Sequence, residues 1–171
     1  AQHAGALGES TLRRIDRLAG YDLGPKKSLE VLDTFLDTAD RQILAAGSYC
    51  RQRQVAGRPG VDITLKALVG GTGAVHRREE LNLYLAEAQP PTGWPAGPLR
   101  ERLLSWIGTA PLQPLFSLRQ LRTIRTLTRS GEPVAELSLD QVELAEGVHR
   151  ESFYELELEL VQTGTEDDLA T

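Results

Sequence analysis

The feature that most constrains this chain is a two-residue alternation of ionic and apolar side chains, repeated along several separate segments. Between Phe153 and Val161, Tyr154, Leu156, Leu158 and Leu160 take one side, and Glu155, Glu157 and Glu159 take the other. Successive side chains of a β-strand point to opposite faces, so the pattern reads as a strand with one greasy and one charged face. Between Val134 and Asp140, Ala135, Leu137 and Leu139 oppose Glu136, Ser138 and Asp140. Val61, Ile63 and Leu65 oppose Asp62, Thr64 and Lys66, and Leu81, Leu83 and Leu85 oppose Arg78, Glu80 and Asn82. Arg51 and Arg53 likewise share a face.

Seven strands are predicted: residues 29–37, 48–54, 61–68, 75–85, 115–127, 134–144 and 153–161. Turns rich in Gly or Pro separate them at Gly57–Gly60, Gly70–Gly73 and Ser130–Pro133. Helices are predicted over Ser10–Gly20, where Ser10 caps and Gly20 ends the segment, over Ala39–Ala46 before Gly47, and over Leu99–Ile107 before Gly108. A further helix is predicted to begin at Thr165, with acids in its first turn, just before the sequence stops at Thr171. The chain carries no Met, so it reads as a processed or trimmed product.

The length, 171 residues with 40% apolar and 25% charged side chains, fits a single domain over 1–171 with a real core. No run approaches the roughly 18 apolar residues that a transmembrane helix needs, and the first ten residues are unlike a secretory signal. A single cysteine, Cys50, excludes an internal disulfide and points to a reducing, cytoplasmic setting. A net charge of -5 argues against a general nucleic-acid role. That charge is unevenly placed: the arginines lie mostly before residue 130, and carboxylates dominate after it.

Alternation of this kind ordinarily means an open antiparallel sheet with one wet face. Two features favour a different arrangement for the set. The polar faces are almost purely ionic, and they sort by strand into basic and acidic banks. Three carboxylates spaced by two along one strand also repel, and inside a closed lumen they call for a counter-charge. The expected fold is therefore α+β: a closed antiparallel β-barrel, or tunnel, with a few flanking helices. A lumen with Arg and Lys facing Glu and Asp suits a phosphate chain. The cations neutralise phosphate oxygens, and the carboxylates hold Mg²⁺ or Mn²⁺, which activates a water.

Several stretches carry a resemblance. Asp33-Thr-Phe-Leu-Asp-Thr-Ala-Asp40, Ile43-Leu-Ala-Ala-Gly47 and Cys50-Arg-Gln-Arg53 come first. Ile63-Thr-Leu-Lys66, His76-Arg-Arg-Glu-Glu80 and Pro114-Leu-Phe116 with Arg119 and Arg122 follow. Glu136-Leu-Ser-Leu-Asp140 and Tyr154-Glu-Leu-Glu-Leu-Glu159 complete the set. In this order, over about residues 21–169, they resemble the CYTH family, the triphosphate tunnel metalloenzymes. The resemblance implies metal-dependent hydrolysis of inorganic triphosphate or a related linear triphosphate, with Mg or Mn as cofactor. The alternative it leaves open is a module that captures triphosphate or polyphosphate without turnover. It also implies a CHAD-type helical domain downstream in the full gene product.

By the same resemblance, Arg51, Arg53, Lys66, Arg78 and Arg122 grip phosphates, with Arg125 as a further candidate. Arg122 and Arg125 cannot both face inward without a bulge, and the strand pattern fits either facing. Glu155 and Glu157 are the catalytic carboxylates, and Glu80, Glu136, Asp140, Glu155, Glu157 and Glu159 are the metal-site candidates. One departure stands out. The family opens with an ExExK strand, and the region Ala1–Leu7 has no Glu and no Lys. Cys50 alternates away from Arg51 and reads as a packing residue, the three histidines show no ligand spacing, and Trp94 and Trp106 read as anchors of the helical insertion.

Overall fold

The computed structural model describes residues 14–68, 80–146 and 149–165. Among them the strands are β1 (Arg17–Leu18), β2 (Tyr21–Leu23), β3 (Lys27–Asp37), β4 (Ser48–Val55), β5 (Val61–Ala67), β6 (Glu80–Leu85), β7 (Gln113–Arg129), β8 (Glu132–Glu146) and β9 (His149–Leu160). Helix α1 (Gln42–Ala45) lies between β3 and β4, and α2 (Pro98–Ile107) between β6 and β7. The chain divides into two compact units, with boundaries inside β3 at Val31 and inside β7 after Arg119.

In the first unit, β3, β4, β5 and β6 form an antiparallel meander, with β7 on the other side of β3. The register sets Asp33 across from Arg53, Arg51 across from Thr64, Thr64 across from Asn82, and Lys66 across from Glu80. One face is apolar and covered. Cys50, Val61, Ile63, Leu65 and Leu85 pack with Ile43 of α1, with Trp94, and with Leu99, Leu103 and Ile107 of α2. Those three α2 residues are spaced by four and so fall on one stripe of the helix. Pro98 starts α2 at a position where its missing N–H costs nothing, and Gly108, at φ 57°, ends it. The indole N–H of Trp94 donates to the Gln89 carbonyl at 2.7 Å, which ties the Pro-rich loop to the core.

The link from β3 to β4 is built by Asp37 and Thr38. Asp37 accepts from the N–H groups of Thr38 (2.7 Å), Ile43 (2.9 Å) and Leu44 (3.1 Å), and the Thr38 hydroxyl accepts from Gln42 N–H at 3.1 Å. A four-residue helix would otherwise leave those donors unsatisfied. Gly60, which leads into β5, has φ 76°, and a Cβ there would lie 2.4 Å from the Leu85 carbonyl oxygen. Only glycine fits.

In the second unit, β1 and β2 form a hairpin closed by Ala19 and Gly20, both at positive φ (50° and 92°). This replaces the helix predicted up to Gly20. Two adjacent positive φ values match a two-residue hairpin turn, so Gly20 serves that turn instead of capping a helix. The predicted segment's first residues lie outside the described residues. β2 pairs with β7, and β8 pairs with β7 and β9. Tyr21, Leu23, Leu127, Val134, Ala135 and Leu137 are the buried core, with Leu158 and Leu160 packed against it. Ser130 and Gly131, at φ 55° and 87°, make the β7–β8 turn.

The antiparallel α+β class is as expected, and the strands run slightly longer than the alternation suggested. Closure differs. A barrel requires a hydrogen-bonded partner on both sides of every strand. Among the described residues β6 is bonded to β5 alone and β9 to β8 alone, so no ladder closes the sheet. The expected segments Ala1–Leu7, 75–79 and 166–169 lie outside the described residues.

Two measurements check the packing. Leu103 is 0% exposed, so Leu103→Ala should lower unfolding stability by about 2–5 kcal/mol in denaturant titration. A loss well under 1 kcal/mol would mean that α2 does not hold down the sheet. Burial, reinforced by the Asp37 carboxylate, pushes the Cys50 thiol from 9.0 up to about 12. The native protein should therefore resist thiol alkylation at neutral pH and react only once unfolded; rapid native labelling would contradict the buried placement.

Candidate functional site

The polar face of the first unit is a connected set of ionic pairs. Arg53 forks onto Asp33: Nε donates to Oδ1 at 2.7 Å and Nη2 to Oδ2 at 2.6 Å. Asp33 is 1% exposed. Arg51 stands one position along the same face, with Nη1 3.6 Å from Asp33 Oδ2 and Nη2 donating to Thr64 Oγ1 at a long 3.4 Å. Its Nε is buried and has no hydrogen-bond partner among the described residues.

Beyond Thr64 the network continues. The Thr64 hydroxyl donates to Asn82 Oδ1 at 2.9 Å, Asn82 Nδ2 donates to Glu80 Oε1 at 3.1 Å, and Lys66 Nζ lies 2.9 Å from Glu80 Oε2. Partial burial would raise the Glu80 carboxyl. The hydrogen bonds from Lys66 and Asn82 and the charges of Lys66 and Arg51 outweigh it, so the carboxyl sits below its ordinary range. Three cations, Arg51, Arg53 and Lys66, thus share this face with three carboxylates, Asp33, Asp62 and Glu80, and Asp62 also pairs with Arg58. Phe35 borders the face, stacked on Phe116 with ring centroids 4.6 Å apart and tilted against Tyr49 at 5.5 Å.

The second unit carries its own ionic cluster. Arg122 Nη2 donates to Glu157 Oε2 at 3.0 Å, and Arg122 Nε lies 3.6 Å from Asp140 Oδ1. These three side chains therefore share a face of β7, β8 and β9. Asp140 is 4% exposed and Glu157 50%. The side chains of Glu136, Glu155 and Glu159 make no hydrogen bond or ion pair among the described residues.

Arg125 resolves the open choice of facing on β7. It is buried at 6% exposure and donates to the carbonyls of Gly24 (2.9 Å), Leu23 (3.0 Å) and Ile15. It lies three residues from Arg122, so the alternation of β7 turns it to the opposite, core-packed face. Its guanidinium is spent on backbone carbonyls around the β1–β2 hairpin, which removes it from the phosphate candidates. Arg78 lies outside the described residues.

A metal was expected on the carboxylates. Among the described residues no three His, Cys, Asp or Glu side chains converge on one point. The donor set nevertheless fits a hard cation that arrives with other oxygens. Mg²⁺ is commonly held by one or two carboxylates together with substrate phosphates and waters. Glu136, Glu155 and Glu159 are oxygen donors of that kind, whereas Glu80 is committed to Lys66 and Asn82.

Asp33 is the residue of this ionic face that strand alternation did not single out. It was visible only as part of the Asp33–Asp40 stretch. Its cue is positional, since it shares a face with Phe35 and Asp37, but its pairing with Arg53 depends on the β3–β4 register.

Comparison with known proteins agrees with this fold. Solved structures with the same fold include a candidate adenylyl cyclase from Hippeastrum described as having a dominant triphosphatase activity. It has TM-score 0.64 and 18% identity, over 99% of this chain and 79% of that one. A candidate adenylate cyclase from Bacillus halodurans has TM-score 0.60 and 18% identity, with the same coverage of both chains. At that identity the likeness establishes the fold and nothing finer. The CYTH domain profile matches residues 8–171. Matched over nearly its whole length, the chain belongs to the CYTH domain family.

Proposed function

We propose that this protein binds inorganic triphosphate or a related linear triphosphate and hydrolyses it with a divalent cation, Mg²⁺ or Mn²⁺. The observation that carries the reading is Arg51. It is a guanidinium only 22% exposed, on an ionic face, with a buried Nε that has no protein acceptor among the described residues. A buried donor without a partner is costly, and a phosphate oxygen is an acceptor whose charge suits a guanidinium.

Arg51 and Lys66 are the direct phosphate contacts in this reading, with Arg53 beside them and Arg78 and Arg122 as further cations. Lys66 must exchange Glu80 for phosphate, which a polyanion can drive by offering more charge than one carboxylate. Glu155 and Glu157, with Glu136, Asp140 and Glu159 in support, would hold the cation, which neutralises phosphate charge and lowers the pKa of an attacking water. The residues themselves orient the chain and neutralise its oxygens. Positioning and charge account for most of phosphoryl-transfer catalysis. A cytoplasmic setting goes with the single reduced cysteine. No helix among the described residues is long and apolar enough to cross a membrane.

A second reading, capture of triphosphate or polyphosphate without turnover, draws support from the lack of a three-carboxylate cluster among the described residues. Thermal shift and phosphate release, measured together with triphosphate and Mg²⁺ or Mn²⁺, separate the two. Stabilisation with release supports hydrolysis, and stabilisation without release supports capture. No shift counts against both.

Arg51→Ala should weaken triphosphate binding by about 1.5–3 kcal/mol in calorimetry, the range for a hydrogen bond to a charged group. Unchanged affinity would remove Arg51 from the site. Glu157→Gln should abolish cation-dependent phosphate release while leaving the unfolding free energy within about 1 kcal/mol, as befits a half-exposed ion pair. Retained release would take Glu157 out of the reaction.

A further inference from the structure

We propose that Asp33 is a positioning residue: it fixes Arg53 as a buttress and leaves Arg51 as the arginine that meets the ligand. This assignment rests on the triphosphate reading above and divides labour between two cations that the sequence presents as equivalent.

The division follows from the register. Asp33 lies directly across from Arg53, and both of its oxygens are engaged by the Arg53 fork at 2.7 and 2.6 Å. Planar guanidinium and planar carboxylate match in this bidentate form, which fixes orientation as well as distance. At 1% exposure the carboxylate cannot turn to water as a substitute, so its partner is held. Arg51 is treated differently by the same group. Its Nη1 is 3.6 Å from Oδ2, too long for a hydrogen bond but close enough for attraction. Its contact with Thr64 is 3.4 Å, and its Nε has no acceptor among the described residues. Asp33 thus draws Arg51 inward along the face without consuming its donors, while it takes Nε and Nη2 of Arg53.

The alternative role for Asp33 is simple charge balance between two arginines, and it makes the opposite prediction. Removing a buried negative charge from this face raises the positive potential around Arg51 and Arg53 and should tighten anion binding. A positioning role predicts weaker binding despite that gain, because the Arg53 guanidinium loses its anchor and Arg51 loses the charge that draws it inward.

The experiment has two parts. In the wild-type protein, the Nε–H signals of the arginines are followed by ¹⁵N-resolved NMR while inorganic triphosphate is added. The Arg51 Nε–H signal should shift and become protected from exchange. The Arg53 signal should be protected from the start and stay in place. If Arg53 moves as far as Arg51 or loses protection, it leaves Asp33 for phosphate and the assignment falls.

The second part measures the inorganic triphosphate affinity of Asp33→Asn by calorimetry. The loss expected is about tenfold or more, the scale of a charged hydrogen bond. Unchanged or tighter binding by a folded Asp33→Asn overturns the assignment alone, provided that Arg51→Ala still weakens binding. If Asp33→Asn fails to fold, the wild-type NMR decides. A wild-type chain that does not bind triphosphate overturns the functional reading and takes this assignment with it.

Discussion

Cross-strand register is the constraint on which this protein most depends. The side-chain period of a strand is two, so a slip of one residue would move every ionic group of a strand to the opposite face. In the β3–β6 meander that slip would carry Arg51, Arg53 and Lys66 into the layer where Cys50, Ile63 and Leu65 meet α2. It would also break each ionic pair at once, because Asp33–Arg53 and Lys66–Glu80 are directly opposed across neighbouring strands. Burial of one face and pairing on the other therefore specify the same register. Few wrong alignments can satisfy both.

The polar face is expensive to build. An isolated carboxylate at 1% exposure would suffer a desolvation penalty of several kcal/mol, and a single attraction to a cation does not reliably offset it. The Asp33–Arg53 fork supplies charge and two short hydrogen bonds together, which is the condition under which a buried pair is tolerated. Well-packed apolar residues would often do as well for stability alone. What stability alone does not explain here is the buried Arg51 Nε, which has no acceptor among the described residues and which the proposed reading gives to a phosphate oxygen.

The sequence revealed most of the strands and the helix at 99–107, because period-two and four-residue spacings are local properties. It also revealed which residues share a face within one strand. It could not reveal which strands are neighbours, and so it missed Asp33, whose role exists only across the β3–β4 ladder. The β1–β2 hairpin was hidden for a different reason. Leu-Ala-Gly-Tyr suits both a helix end closed by glycine and a two-residue turn, and pairing of β2 with β7 decided between them. Arg122 and Arg125 were ambiguous from the pattern for a related reason. Each is a plausible cation, and only the backbone carbonyls of the hairpin show that Arg125 is already in use.

The carboxylates of β9 permit one more step. Glu155, Glu157 and Glu159 recur at two-residue spacing, and their mutual repulsion would demand a counter-ion if they were dry. They are exposed, however, and Glu157 is half-exposed even with Arg122 against it. Water at high dielectric reduces repulsion between such charges to the order of 1 kcal/mol or less. The strand can therefore exist without a bound cation, so a metal here is not a structural requirement of β9. In the proposed reading, a cation taken up by these glutamates would serve ligand binding and would enter with the oxygens of a phosphate chain.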